Sequence, residues 1–232
     1  RDVDRHHHRV NRRPLRVAPA SPPTMPTVDC VVLVPVKAFA VAKARLAPIL
    51  SSAQREALAR WSADRVVAAA GELPVFIACD DDAVAEWATS RGATVLWHPG
   101  AGLNGAVSLS VADLARRGAD HVVVAHGDLP RATSLASVIV PGAVTLVPDA
   151  HDDGTNVAAV PARAGFEFAY GAGSFHRHLA NAVRQGLAVA VRRDPLLALD
   201  LDTPSDLTHP LVQEVLPAWL PTNPANPMSA RR

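Results

Sequence analysis

From Val28 onward, short apolar stretches rich in β-branched residues alternate with longer stretches of helical periodicity, and this alternation most constrains the fold. A continuous run such as 31–34 (VVLV) is typical of a strand that is covered on both faces. Hydrophobic residues make up 49% of the 232-residue chain, which is enough to fill a core of this kind. Strands separated by helical patterns predict a single α/β domain, a mostly parallel sheet with helices on both faces.

Individual elements can be placed from the same pattern. Besides 31–34, strands are predicted at 75–79, 94–97, from 121 into a loop at Gly127, at 143–147 and, with outward-pointing carboxylates, at 197–202. Ser51 and Gln54 have the spacing of a capping box, which predicts a helix start there. Further helices are expected through Trp87, along the stripe from Leu103 to Leu114, and after Ser174, which is expected to be the cap.

The two ends of the chain differ in composition from the middle. Residues 1–26 are basic and Pro-rich, and we predict a disordered extension there. Residues 27–215 are predicted to form the folded domain. Residues 216–232 are rich in Pro and Asn and are predicted to be a disordered tail, with Trp219 as a candidate anchor.

Charge, hydropathy and cysteine usage limit the classes of function. The formal net charge of +1 removes the usual electrostatic argument for a nucleic-acid partner. No run approaches the ~20 apolar residues of a membrane span, so no membrane association is expected. Cys30 and Cys79 lie in apolar runs and are expected to be buried thiols in strands. Without a C-x-x-C pair or a zinc spacing, a cytoplasmic location is favoured.

The first predicted strand runs into a basic loop, VPVKAFAVAKARLAP, that carries Lys37, Lys43 and Arg45. Ligands of open α/β sheets bind at the carboxyl ends of the strands, where this loop is expected. Three cations in one loop can neutralise a polyphosphate, although an ordinary solvated basic loop is the alternative. The glycines of a P-loop are absent.

Acidic residues are expected at the same edge of the sheet. Asp128 follows a β-branched run in HGDLP, and Asp200 and Asp202 are two residues apart in LDLDTPSDL. Alternation along a strand would put the latter pair on one face, where two carboxylates repel each other unless a cation such as Mg²⁺ compensates. The alternatives are that Asp128 caps a loop and that one of the pair caps a helix near Pro204. Asp206 is the better candidate for a structural acid.

Two turns of small residues, 152–156 (DDGTN) and 170–178 (YGAGSFHRH), complete the set of candidate motifs. The second turn leads into a helix, and a helix N-terminus offers free N–H groups to an anion. Ser174 by itself is equally explained as an N-cap. The histidines show no metal-ligand spacing and are interpreted as polar or supporting residues.

The motifs VPVK-x5-K-x-RL, G-x-N, GDLP, GTN, YG-x-GSF-x-x-H and LDLDTPSDL occur in this order over about 28–207. The ordered set resembles the guanylyltransferase family of coenzyme F-420 biosynthesis, whose members act on 2-phospho-L-lactate or phosphoenolpyruvate. The resemblance implies a Rossmann-like fold related to nucleotide-diphospho-sugar transferases. It also implies an Mg²⁺-dependent enzyme that condenses GTP with the phosphorylated acid and releases pyrophosphate.

The resemblance also implies roles for individual residues of this chain. The implied ligands of the GTP phosphates are Lys37, Lys43 and Arg45, and the implied neighbours of the nucleotide are Gly102 and Asn104. The implied metal ligands are Asp128, Asp200 and Asp202, and the implied catalytic residues are Asp128, Lys37 and Lys43. The residues implied to receive the phosphorylated acid are Thr155, Gly171 and Ser174.

One departure from the family pattern concerns the acceptor. Asp152 and Asp153 replace a small, Gly-containing stretch before GTN, and two negative charges there would oppose an anionic substrate unless they face solvent or a second metal. The sequence therefore leaves the choice between phosphoenolpyruvate and 2-phospho-L-lactate open. It also leaves open a sugar-phosphate or polyol-phosphate acceptor, a catalytically idle nucleotide-binding protein, and the oligomeric state, with a homodimer as one alternative. The product is expected to pass to a downstream transferase of F-420 biosynthesis.

Overall fold

The computed structural model describes residues 30–221, so the predicted extension at 1–26 and the end of the predicted tail, 222–232, lie outside the described residues. Its centre is a seven-stranded sheet. The strands are β1 (Cys30–Pro35), β2 (Val75–Cys79), β3 (Thr94–Trp97), β4 (His121–Ala125), β5 (Val144–Pro148), β6 (Thr155–Pro161) and β7 (Val189–Val191).

The strand order is β3-β2-β1-β4-β6-β5-β7, and the sheet is mostly parallel, as predicted. Strands β1 to β4 run parallel to one another, and β6 pairs antiparallel with both β4 and β5. The carboxyl ends of β1 to β4 therefore share one edge. Loops that leave these four strands meet at that edge and can build a common site.

Helices cover both faces of the sheet, which confirms the predicted fold class. They are α1 (Ser52–Ala69), α2 (Asp82–Ser90), α3 (Gly102–Arg116), α4 (Ser174–Arg184) and the short α5 (Pro210–Gln213). Single 3-10 turns occur at Phe39–Val41, Ala44–Leu46, Leu135–Val138 and Asp206–Thr208. Helices α1 and α2 pack on the face that includes Val32 and Ile77, whereas α3 and α4 pack on the face that includes Leu33 and Val124.

The local signals that predicted helix starts have different outcomes. Helix α1 begins with the predicted capping box, in which Ser51 Oγ accepts from Gln54 N and Gln54 Oε1 accepts from Ser51 N. The prediction that Ser174 caps α4 is wrong, because the cap position is Gly173 and Ser174 is the buried first residue of the helix. The N–H of Gly173 is bound by the distant Asp153 carboxylate.

The prediction of a strand at 197–202 is also wrong. Leu197, Leu199 and Leu201 are buried in alternation, but the segment pairs with no strand in the described chain. Instead, Asn156 Nδ2 donates to Leu197 O, and Leu201 N donates to Asp128 O. Two strands, β6 and β7, are found where the sequence pattern predicted none.

The folded body extends past the predicted boundary at residue 215. Leu216 and Leu220 are buried in a third apolar cluster with residues that include Leu46 and Leu201, while Trp219 is half-exposed. Residues 216–221 therefore belong to the domain, and leucines rather than Trp219 hold them in place.

Both cysteines lie in strands, as expected. Cys79 in β2 is buried, and Cys30 in β1 is partly buried. Across the span 30–221, no helix combines the length and the apolar character that crossing a membrane requires.

Candidate active site

A cavity of about 380 Å³ opens at the shared carboxyl edge of β1 to β4. Its walls come from the loop after β1, the residues that follow β2 and β3, the start of α3, the residues that follow β4, and Asp202. Five of the residues predicted from the sequence line it: Lys37, Lys43, Gly102, Asp128 and Asp202. The fold therefore brings the basic loop and two of the three predicted metal ligands to one site.

Lys43 and Asp128 form the central ion pair of this cavity. Lys43 Nζ lies 2.8 Å from Asp128 Oδ2, and the Lys43 side chain is only 7% exposed. Burial is the largest influence on Asp128 and opposes its ionisation, but the electrostatic effects of Lys43 and His126 and the hydrogen bonds to the carboxylate together outweigh it, so the pKa of Asp128 lies below its usual value. Lys43 also adopts a left-handed backbone conformation (φ 57°), which is uncommon for a residue other than glycine and is a form of local strain found at functional sites.

Asp200 lies beside Asp128 and forms no ion pair with any described residue. The backbone bond from Leu201 N to Asp128 O, 3.1 Å long, fixes the two segments together. Burial, followed by the negative charge of Asp128, raises the pKa of Asp200 to about 7. The second carboxylate oxygen of Asp128, Oδ1, is buried and has no hydrogen-bond partner within residues 30–221. A bound cation would stabilise both carboxylates beyond what Lys43 provides.

Asp202 faces the same cavity but is bound differently. Its Oδ2 lies 2.6 Å from Nη1 of Arg45, in an exposed ion pair. The turn that carries it is stabilised by Asp206, whose Oδ2 accepts from Asp202 N at 2.8 Å and from Thr203 N at 2.6 Å. Asp206 is thus the structural acid of this turn, as the sequence indicated.

The acidic residues fit a divalent cation whose remaining coordination positions are filled by substrate phosphates. Among residues 30–221, no three His, Cys, Asp or Glu side chains are already arranged to hold a metal ion. Asp200 together with the unpartnered Oδ1 of Asp128 nevertheless matches the way proteins hold Mg²⁺, through one or two carboxylates plus substrate phosphates. Lys37, exposed on the cavity wall, adds positive charge beside that position.

The predicted nucleotide neighbours separate into two roles. Gly102 is the first residue of α3 and lines the cavity, with φ of 65°. Asn104 binds the backbone of Tyr170 instead, because its Oδ1 accepts from Tyr170 N at 2.7 Å and its Nδ2 donates to Tyr170 O. Asn104 therefore fixes the loop that leads into α4.

The residues predicted to receive the acid lie together beyond the cavity, at the start of β6 and of α4. Thr155 and Ser174 are both buried, and Gly171 is exposed with φ of 117°. Thr155 Oγ1 lies 2.9 Å from Nδ1 of the buried His178. Because Ala169 N donates to Nε2 of this imidazole, Nδ1 carries the proton and donates to the threonine oxygen.

Asp152 and Asp153 are both engaged by groups of the protein. Asp152 Oδ2 lies 3.0 Å from Nη2 of Arg193 at the surface. Asp153 accepts from Gly173 N with its side chain and from Phe175 N with its backbone carbonyl. The N-terminus of α4 therefore already has a carboxylate from the chain itself, so neither charge is left uncompensated near the predicted acceptor site.

Sequence reasoning assigned no specific role to His126, which lines the cavity, or to Tyr170, whose ring packs behind it. His126 Nε2 and the Tyr170 hydroxyl are buried and have no hydrogen-bond partner in the part of the chain that the structure describes, and their ring centroids lie 5.0 Å apart. Burial lowers the pKa of His126 and raises that of Tyr170, so both are neutral. The available signal was position, since His126 precedes GD of the GDLP motif and the single tyrosine of the chain begins YG-x-GSF.

Comparison with known proteins identifies the family. The sequence profile described as "Guanylyl transferase CofC like" matches residues 30–213. The phosphoenolpyruvate guanylyltransferase of Sphaerobacter thermophilus is 38% identical over 186 residues, which cover 76% of this chain and 90% of that protein. The chain belongs to the CofC-like guanylyl transferase family. A protein of the same description from Rubrobacter xylanophilus is 35% identical over 186 residues, which cover 76% of this chain and 91% of that protein.

Solved structures agree on the fold. A protein described as a nucleotide-diphospho-sugar transferase, from Desulfovibrio desulfuricans G20, superposes with a TM-score of 0.66 at 16% identity, covering 87% of this chain and 94% of that one. At this identity the likeness concerns the fold alone. Family and fold together make this chain a nucleotidyltransferase, with the cavity at the carboxyl ends of β1 to β4 as its candidate active site.

Proposed function

We propose that this guanylyltransferase transfers GMP from GTP to phosphoenolpyruvate in an Mg²⁺-dependent reaction. The observation that carries the proposal is the ion pair of Lys43 and Asp128 in the cavity, with Asp200 close to Asp128 and with Asp128 Oδ1 buried and lacking a hydrogen-bond partner among the described residues. Relatives with 35% to 38% identity that bear the name phosphoenolpyruvate guanylyltransferase support the choice of acceptor.

The reaction balances as a simple displacement at phosphorus. An oxygen of the acceptor phosphate forms a bond to the α-phosphorus of GTP, and the bond from that phosphorus to the bridging oxygen of the β-phosphate breaks. Pyrophosphate leaves and a diphosphate-linked guanosine adduct remains. The acceptor phosphate is ionised near neutral pH, so the residues need not supply a general base, and positioning and charge neutralisation carry the rate.

Each residue of the site has a role in this proposal. Asp128, Asp200 and Asp202 would hold Mg²⁺, which when bound neutralises and polarises the phosphate oxygens. Lys43, fixed by its ion pair, and Lys37 would stabilise the charge that builds up on the departing pyrophosphate. The catalytic residues are thus Asp128, Lys37 and Lys43, and the exposed Arg45 can move from Asp202 to the triphosphate.

The acceptor is proposed to lie between the cavity and the start of α4. Thr155, Gly171 and Ser174 are its proposed ligands, and the unpartnered groups of His126 and Tyr170 lie between them and the nucleotide. An activated adduct of this kind would be consumed by a transferase, as in coenzyme F-420 biosynthesis. The cytoplasmic location and the homodimer stay predictions.

Mass spectrometry of the product tests the proposal. The purified chain is incubated with GTP or ATP, Mg²⁺, and in turn phosphoenolpyruvate, 2-phospho-L-lactate and a sugar phosphate. We expect pyrophosphate and a phosphoenolpyruvate–guanosine adduct, and neither product from Asp128→Asn. An adduct with only the sugar phosphate would contradict the acceptor, and binding of GTP without any adduct would leave a nucleotide-binding protein as the function.

A further inference from the structure

The cavity extends along the sheet edge well beyond the candidate phosphate-binding residues. Lys37 and Lys43 follow β1 and Asp128 follows β4, whereas Asp80 and His98 follow β2 and β3 and line the same cavity. Neighbouring strands lie ~4.8 Å apart, so the edge from β4 to β3 spans roughly 14 Å. A triphosphate bound between Lys43 and Asp128 would therefore direct its base toward Asp80 and His98.

At the β3 end of the cavity, Asp80 is the polar side chain that is not already bonded to another described residue. His98 Nε2 is hydrogen-bonded to Ser110 Oγ at 2.9 Å, and the Asp81 side chain caps α2 by accepting from Val84 N. Asp80 is exposed, and within residues 30–221 its carboxylate has no hydrogen bond or ion pair. Both of its oxygens are available to a ligand in the cavity.

The walls near Asp80 are suited to the faces of a base. Ala78 of β2 and Leu103 and Ala106 of α3 line the cavity with apolar surface. Such walls bind any flat ring system and cannot by themselves distinguish guanine from adenine. The distinction then requires a polar group that meets the hydrogen-bonding edge of the base, and Asp80 is the acceptor in that position.

We propose that Asp80 reads the guanine of the nucleotide through its N1–H and N2–H groups, an inference that rests on the proposed function. A carboxylate can accept both hydrogen bonds side by side. Adenine presents an unprotonated N1, an acceptor, at the matching place, so its lone pair would face a carboxylate oxygen. Asp80 thus favours guanine by attraction and disfavours adenine by repulsion.

Xanthine nucleotides allow a test in which an Asp80 variant must gain affinity for a ligand. Xanthine keeps N1–H but carries a carbonyl oxygen in place of the N2 amino group. An asparagine at position 80 can accept from N1–H with Oδ1 and donate to that carbonyl with Nδ2. Asp80→Asn should therefore weaken GTP binding and strengthen XTP binding, and a general folding defect cannot produce the second effect.

The experiment measures binding of GTP, ITP, XTP and ATP to the full chain by calorimetry with Mg²⁺, and then pyrophosphate release with phosphoenolpyruvate. In the wild type we expect GTP to bind more tightly than ITP, which lacks the N2 amino group, and ATP to bind most weakly. Asp80→Asn should lose on the order of 100-fold in GTP affinity and bind XTP at least as tightly as GTP. Asp82→Asn, the same charge change in the same acidic run but outside the cavity, should keep the wild-type order.

The outcomes separate this inference from the proposed function. If the wild type binds GTP selectively but releases no pyrophosphate with any acceptor, the proposed transfer is wrong, and the binding series still tests Asp80. Unchanged GTP preference in Asp80→Asn, with no gain for XTP, overturns the role of Asp80. A wild type that does not prefer GTP to ATP overturns that role as well.

Discussion

Lys43 Nζ lies 2.8 Å from Asp128 Oδ2, and this ion pair joins the loop that follows β1 to the loop that follows β4. The two residues are 85 positions apart in sequence, and the strands that precede their loops are neighbours in the sheet. The contact thereby fixes the geometry between the basic loop and the acidic residues. Within residues 30–221, Asp128 Oδ1 has no hydrogen-bond partner and Asp200 forms no ion pair, and we propose that a cation with its phosphate ligands binds at this place.

Replacing Lys43 alone should lower the free energy of unfolding more than replacing both Lys43 and Asp128. In Lys43→Met the charged Asp128 is left beside Asp200, and we expect a loss of about 2 kcal/mol in the free energy of unfolding. The double variant Lys43→Met/Asp128→Asn removes the uncompensated charge and should recover most of that loss without recovering activity. Urea unfolding of both variants checks this, and a double variant no more stable than Lys43→Met would contradict it.

Asp200 should oppose folding when no metal is present. Replacing it by asparagine removes a buried like charge beside Asp128, so Asp200→Asn should melt at a higher temperature than the wild type in metal-free buffer at pH 8. The same variant should lose the additional stabilisation that Mg²⁺ with GTP gives the wild type. Thermal melting measures both effects. Asp120→Asn, at the opposite end of β4, is the control and should respond to Mg²⁺ and GTP as the wild type does.

His178 should make the fold sensitive to acid. Burial, and then the charges of Arg177 and His126, lower its pKa to about 4 from an ordinary value of 6.5. The unfolded chain therefore binds a proton at this residue below about pH 6.5, and the native chain does so only near pH 4. Stability present at neutral pH is lost between these values, by at most about 3 kcal/mol.

The matched variant for this effect is His178→Gln. Its free energy of unfolding should fall less steeply between pH 6.5 and 4 than that of the wild type, whatever its stability at pH 7. His121, whose pKa is also lowered, contributes equally to both proteins. Parallel slopes in the two proteins would show that His178 is protonated in the native state.

The buried hydroxyl of Tyr170 should matter for the acceptor and not for folding. It has no hydrogen-bond partner, so Tyr170→Phe should keep or slightly raise the free energy of unfolding. If the acceptor supplies the partner, the KM for phosphoenolpyruvate should rise about 10-fold while the KM for GTP stays unchanged. Steady-state kinetics with each substrate varied in turn checks this, and equal changes in both KM values would contradict it.

Much of the sheet could be predicted because each strand carries its own signal. The predicted bounds of β2 and β3 match the observed ones, β4 begins where it was predicted to begin, and α1 begins at its capping box. The segment 197–202 shows where this reasoning fails. Buried leucines occur at every second position of this segment, as in a strand. Its backbone is nevertheless held by Asn156 and Asp128 rather than by a neighbouring strand.

The candidate site was predictable where chemistry and strand ends coincide. Lys43, Asp128 and Asp202 follow from charge placed at one edge of a parallel sheet, and the structure brings them to one cavity. Contacts made through distant backbone were not predictable. Asn104 binds the backbone of Tyr170, and Asp153 takes the cap of α4, because folding places these partners together and no local pattern records it.

A crystal structure with Mn²⁺ and the α,β-methylene analogue of GTP is the strictest test of the proposed site, because this analogue cannot release pyrophosphate. We expect an anomalous peak for the metal beside Asp128 and Asp200, and a triphosphate that contacts Lys37 and Lys43 inside the cavity. A metal or a triphosphate bound away from Asp128 and Lys43 would contradict the proposed site.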